Sequence, residues 1–594
     1  MKTLRVLLGS VLALTSAAVL FWPSAALADP PPSCAPILPL DDVAVGMQGT
    51  GWTVAQGTEP ETFDVEVLGI APGLVAPGRD IIIARISGSL VDAGGGVWAG
   101  MSGSPIYVDE DGDLERDDLI GALAYGFSFG PSNVVGLTPA EDMERILNYP
   151  SGSFRKAGFP ARVELSRALV KKIASVTRTP LPEVGSLVRM KVPFSVSGVA
   201  SERMKKVRKM LRRQHVGAIP YAGTSSSLSS VSSIDGFRPG DNFAAAFSYG
   251  DITLAGIGTA TYVCDGQALA FGHPFLFGGR VALGASGADA ITIVPDPVFT
   301  PFKFANVEGI AGIVDQDRLA GIRGVDGELE TIPVNTAVTS LDTLNARTGE
   351  TDVVLESEFP FIAFAHLFSN IDSVFDKIGS GSSTVTFRIN GTRANGPDWK
   401  LTRNNVYTSD FDLSIESSLE LVNALDQIAN NPFEEVHFTS VQATASVQEE
   451  VDDYDLTDVK VCRRGVCRTR DEISAFPGET IELLATLTPS DGSEPQLVPL
   501  SLTIPPRMSF AAEIQVTGGA GDCFEGECGG GGEADVESFN DLLWSLRRQP
   551  TNNVLTATLR SAMTGRARDT DSVSFEKVVH GSQFIFVNLG GRFG

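Results

Sequence analysis

Short runs of alternating or continuous apolar residues recur along most of this chain, each closed by Gly, Pro, Asp or Asn. Between residues 41 and 149 the runs GTGWTV, TFDVEVLGIAP, DIIIARISG, SPIYV and LIGALAYGF predict strands. A short helix, PAEDMERILNY, closes this stretch; Pro139, Glu141 and Asp142 lie at its start, where helix N-termini favour them. Residues 236–335 repeat the pattern in NFAAAFSYG, DITLAGIGTATYV, QALAFG, DAITIVP and ELETIPV. Between 336 and 458 strands alternate with two helical patches, EFPFIAFAHLFSNIDSVFDKI and SSLELVNALDQIAN. From 459 onwards FPGETIELLATLTP, PLSLTIP and NVLTATLRS predict a β-sandwich-like module. The expectation is a mainly β protein in several units, because 594 residues exceed what one core organises.

The connecting stretches differ in character. Residues 150–235 form a basic connector containing RMKKVRKMLRRQH, in which Met204, Val207 and Leu211 fall on one face of a helix; it reads as docked on a core, the alternative being a contact with a membrane surface or an acidic partner. The polar GTSSSLSSVSS, 223–233, reads as a flexible linker. The acidic QEEVDDYDLTD, 448–458, reads as an exposed join. The units are then 29–149, 150–235, 236–335, 336–458 and 459–594.

Residues 1–28 read as a secretory signal. Lys2 and Arg5 supply the charge, Val6 to Phe21 the apolar run, and Ala26-Leu27-Ala28 the small-x-small cleavage site, so the mature chain begins near Asp29; the competing reading is an uncleaved anchor, for which the apolar run is short. No later segment is long and apolar enough to span a bilayer. The expectation is an exported chain, periplasmic or extracellular. Apolar residues at 43% and charged residues at 20% fit a packed globular protein rather than a disordered one. The net charge of −26 opposes nucleic-acid binding. Six cysteines suit an oxidising compartment. Cys462 with Cys467, and Cys523 with Cys528, close short loops suited to disulfides rather than to the spacing of a zinc ribbon. Cys34 and Cys264 either pair or stay free.

Two segments carry candidate chemistry. Gly100-Met101-Ser102-Gly103-Ser104-Pro105 places a serine between glycines, after a Gly-rich entry and before a strand. A serine hydroxyl becomes a useful nucleophile only on a turn whose N–H groups face the developing oxyanion, and glycines permit such a turn. A small-residue turn without chemistry has the same composition. Ser104 either lines the turn or bonds the backbone. Among His215, His273, His366, His437 and His580, only His273 sits at a strand end between Gly272 and Pro274, as an oriented base would. His215 reads as exposed and His366 as packed. The acidic run Asp109–Asp113, with Asp117 and Asp118, lacks the glycine and glutamate positions of a calcium loop and reads as a hairpin tip; no metal or other cofactor is expected.

GMSGSPIYV followed by LIGALAYG, GIGTATYVCDGQALAFGHPF at 256–275 and GIVDQDRLAGIRG at 312–324 together resemble the SpoIVB peptidases, serine endopeptidases of the chymotrypsin-like type. The resemblance covers two blocks, 41–145 and 236–335. It implies a chymotrypsin-like double β-barrel followed by α+β and β-sandwich-like modules, with Ser102 as nucleophile, His273 as general base, and the N–H groups of Gly100 and Ser102 as oxyanion hole. The substrate would be a protein or peptide. The serine block precedes the histidine block, so the barrel halves are permuted. Where the family has its acid this chain has Ser87 and Asp92 is displaced, which leaves either a Ser-His dyad or an acid from elsewhere such as Asp251 or Asp289. The alternative is an inactive peptidase-like envelope protein that binds a partner or acts as a scaffold.

Overall fold

The computed structural model describes residues 33–108, 118–127, 132–150, 162–164, 186–214, 218–226, 229–295, 300–394, 396–508, 511–519, 523–524, 527–528 and 536–590. The leader 1–28, the acidic tip 109–117 and His215 lie outside the described residues.

The chain is mainly β. Its first half contains two closed six-stranded antiparallel rings. The first ring is β1 (Gln48–Thr53), β2 (Glu61–Ala76), β3 (Arg79–Ser87), β4 (Pro105–Val108), β5 (Asp118–Phe127) and β6 (Val134–Pro139). They run in the order β4-β1-β2-β3-β6-β5, and a β4–β5 pairing closes the ring. Alternation drives it: Phe63, Val65 and Val67 on β2 and Ile82, Ala84 and Ile86 on β3 all point into one core. A short helix, α1 (Ser89–Ala93), and a Gly-rich turn separate β3 from β4. After β6 comes α2 (Ala140–Glu144), with Pro139 at its N-cap.

Short strands β7 (Arg162–Glu164) and β8 (Ser186–Arg189) extend the first sheet. Strands β9 (Val192–Val196) and β10 (Ala218–Ala222) flank α3 (Met204–Gln214), whose Met204, Val207 and Leu211 are buried as the sequence predicted.

The second ring comprises β11 (Asn242–Gly250), β12 (Leu254–Cys264), β13 (Gln267–Ala270), β14 (Gly279–Val294), β15 (Phe302–Arg318) and β16 (Gly321–Val325). Their order is β12-β13-β16-β15-β14-β11, closed by a β11–β12 pairing. On β11 the alternation is large against small. Phe243, Ala245 and Phe247 join the main core, while Ala244 and Ala246 join a small-residue cluster with Val54, the residue just after β1. Small side chains there let the rings approach closely.

The sheet continues beyond the second ring, because β11 also pairs with β18 (Ala346–Val353). It runs on through β17 (Ile332–Ser340), β21 (Val436–Gln448), β19 (Gly381–Arg393) and β20 (Trp399–Ser409). Helices α4 (Phe359–Phe375) and α5 (Leu413–Ala429) pack on it at the two predicted helical patches. From Asp453 to Leu589 two five-stranded sheets share one apolar core, a β-sandwich.

The segment 223–233 is not a free linker. Ser225 bridges Val307, the Ser226 N–H donates to the Val307 carbonyl, and the Ser230 N–H and hydroxyl both bond Glu308. Ser225, Ser226 and Ser230 thus find partners along β15, which composition alone does not reveal.

Cys34 and Cys264 form a disulfide, as do Cys462 and Cys467. The backbones of Cys523 and Cys528 are partners in antiparallel register. Among the described residues no helix is long and apolar enough to cross a membrane.

Candidate functional site

Ser102 lies on the turn between α1 and β4, and His273 on the turn between β13 and β14. The two turns meet in the seam between the rings. The Thr259 N–H donates to the Ser102 carbonyl at 2.8 Å; its hydroxyl donates to the Gly100 carbonyl at 3.0 Å, and Thr261 Oγ1 to the Gly103 carbonyl at 2.7 Å. Thus β12 of the second ring runs along the serine turn of the first. On the other side, Thr138 Oγ1 on β6 donates to the Gly272 carbonyl at 2.6 Å.

Two glycines make this closeness feasible. Gly103 has φ +96°, and a Cβ there would lie 2.0 Å from the Thr259 oxygen and 2.5 Å from the Phe271 nitrogen. Gly272, at φ +65°, faces Ala122 and Ala124 of β5, each 3.2 Å from where its Cβ would stand. Between them Phe271, fully buried, holds φ +71°. That region is strained for a bulky side chain and persists only when packing over-determines it. The serine turn thus abuts the chain that leads into His273.

The turn's polar groups are unequally satisfied. The N–H groups of Met101, Gly103 and Ser104 donate to carbonyls of Trp98, Leu123 and Met101. Those of Gly100 and Ser102 have no acceptor among the described residues. Ser102 Oγ is buried and without a hydrogen bond there, as is Ser104 Oγ, so neither serine hydroxyl bonds the backbone. Buried polar groups are nearly always paired, so such a concentration is uncommon. Ser102 and His273 are both fully buried, and the hydrogen bond between Ser102 Oγ and the His273 ring is not made.

His273 Nδ1 lies 2.8 Å from the Pro274 carbonyl oxygen. The acids weighed for the third position are placed elsewhere. Ser87 and Asp92 are exposed. Asp251 is held by Arg347 at 2.7 Å and Asn370 at 3.1 Å. Asp289 sits mid-strand on β14, half-buried.

The sequence did not suggest Lys303. It is fully buried on β15, on the inward face with Ala305 and Val307, and its side chain runs past Gly100. Its Nζ donates to Asn242 Oδ1 at 2.7 Å. No carboxylate lies within ion-pair distance among the described residues, and burial pushes its pKa down to about 7. A lone cation at an inward position of FKFANV was the available signal. Asn242 also lines a cavity of about 250 Å³ with Thr58, Glu59, Arg238 and Asp241.

The other described histidines, His366, His437 and His580, have partners outside the seam. His366 lies between the hydroxyls of Thr336 and Thr351, at 3.0 and 2.8 Å, and burial pushes its pKa down to about 4. His437 pairs with Glu356, and His580 contacts Thr408 and Asp453.

No protein-family model, no curated protein and no solved structure matches this chain.

Proposed function

We propose that this chain is an exported serine endopeptidase whose site is the seam between the two rings. Ser102 Oγ attacks the scissile carbonyl while His273 Nε2 takes its proton. The resulting oxyanion is received by the N–H groups of Gly100 and Ser102. His273 returns the proton to the leaving amine, and water, activated by the same nitrogen, releases the acyl group from Ser102. The observation that carries this reading is the pair of unengaged N–H groups at Gly100 and Ser102 beside an unengaged Ser102 hydroxyl. An oxyanion hole requires donors held open in advance. The resemblance of GMSGSP and GHPF to the SpoIVB peptidases points the same way, and the two disulfides suit an oxidising compartment.

A second reading, a non-cleaving barrel pair that binds or scaffolds an envelope partner, is favoured by the full burial of Ser102 and by the missing Ser102–His273 hydrogen bond. A fluorophosphonate probe decides between them. The mature protein should label, and Ser102→Ala and His273→Ala should not. Labelling that persists in Ser102→Ala would refute the assignment of the nucleophile. A wild-type protein that stays unlabelled at every probe concentration would support the second reading.

A further inference from the structure

What faces His273 Nδ1 is a peptide group. A carbonyl oxygen only accepts, so the 2.8 Å contact with Pro274 O puts the ring proton on Nδ1 and leaves the lone pair of the neutral ring on Nε2. The opposite edge of that same peptide plane is the Phe275 N–H, which donates to Asp317 Oδ1 at 2.8 Å. Leu276 and Gly278 donate to Asp317 Oδ2 at 2.5 and 3.4 Å. Asp317 stands fully buried near the end of β15, so one carboxylate gathers the whole turn after His273. The turn needs gathering: Phe271 and Phe277, on either side of His273, both have positive φ, at +71° and +59°.

We infer that Asp317 is the missing third member of the site, a positioning residue that acts on His273 through the Pro274–Phe275 peptide. The chain of contacts is carboxylate to N–H, across the peptide to C=O, and on to the Nδ1 proton. A negative charge at the N–H end polarises the peptide and raises the negative charge on its oxygen, as hydrogen-bond chains do in a low dielectric. The oxygen then fixes the ring tautomer and supports the imidazolium when Nε2 takes a proton. This is the service a directly bonded aspartate gives in a triad, delivered one peptide further out. Burial holds the pKa of Asp317 above the ordinary carboxylate value, and the converging backbone donors, which favour the ionised form, offset only part of that rise.

The inference rests on the peptidase reading for its catalytic meaning but not for its geometry, and the test separates the two. The full-length mature protein, labelled with ¹⁵N-histidine, is compared as wild type, Asp317→Asn and Asp317→Ala, with the His273 signals assigned from His273→Gln. Wild type should show a protonated Nδ1 and an unprotonated Nε2. Asp317→Ala should show mixed tautomers, with Asp317→Asn intermediate because its amide oxygen still accepts one N–H. Fluorophosphonate labelling should slow in Asp317→Ala by about 10- to 100-fold, the scale seen when a metal-bound histidine loses its outer partner. A wild-type tautomer and labelling rate in both variants would overturn the inference while leaving Ser102 and His273 standing. If wild type never labels, the peptidase reading fails, and the tautomer shift alone still decides the role of Asp317. Should Asp317→Ala fail to fold, Asp317→Asn carries both readouts.

Discussion

Replacing Lys303 with methionine should make stability respond to pH in a way that isolates one buried amine. The methionine keeps the unbranched reach along Gly100 and removes the charge. In the folded chain the amine titrates at about 7, against 10.5 for an unperturbed lysine. Between those values the unfolded chain holds the proton and the folded chain does not. The unfolded state therefore binds more protons, and wild-type stability rises with pH across that window. At about 1.4 kcal/mol per pH unit, the cost of burying this lysine is about 4 kcal/mol at pH 7 and about 1 kcal/mol at pH 10. Against this stands the lost hydrogen bond to Asn242, worth about 1–2 kcal/mol at either pH. Lys303→Met should thus be more stable than wild type by about 2–3 kcal/mol at pH 7, with the advantage gone at pH 10. Urea melts followed by tryptophan fluorescence suit the test, because Trp52 and Trp98 are buried in and around the first ring. Taking the difference between the two proteins at each pH cancels the titration of every other group. A difference that stays constant from pH 7 to pH 10 would refute the reasoning, since it would mean that Lys303 keeps its proton in the folded seam.

Two further outcomes follow from the seam. Gly103→Ala should destabilise the ring pair by several kcal/mol, roughly the scale of core overpacking with added backbone strain, whereas Gly266→Ala, which meets nothing within 4 Å and also has positive φ, should cost only about 1 kcal/mol; paired urea melts compare them. Removing the Cys34–Cys264 disulfide by double substitution to alanine should lower stability by about 2–5 kcal/mol, read as a lower midpoint than wild type under non-reducing conditions; an unchanged midpoint would mean that the bond constrains nothing in the unfolded chain.

Much of the architecture was legible because alternation is a local signal. Val65 and Val67 on β2, and Ile82 and Ala84 on β3, announce their inward face without outside help. The closures were not legible, since the β4–β5 and β11–β12 pairings are choices among edges that look alike in sequence. Ser102 and His273 stood out by their neighbours, Gly and Pro, whose dihedral demands are written in the residue itself. Their meeting depends on Thr259 and Thr261, residues of ordinary strand composition whose hydroxyls reach a turn in the other ring. Asp317 left no side-chain signature, because everything it holds is backbone N–H. Asp92, Asp251 and Asp289 are candidates only for a carboxylate that touches the imidazole directly; His273 Nδ1 instead meets the Pro274 carbonyl. The serine-rich 223–233 misled for a related reason: composition reports what a segment prefers alone, not that the edge of β15 is there to receive it.

The bond between Cys34 and Cys264 joins a residue ahead of the first ring to the last residue of β12 in the second. Its consequence is topological. A protease that cuts once anywhere between those two positions produces no separate fragments: both pieces remain one covalent molecule, and the seam that carries Ser102 and His273 is still clasped from outside. Such a nicked form would run as a single band without reductant and as two with it. A single cut in the chain between the rings would therefore leave the turns of Ser102 and His273 covalently joined.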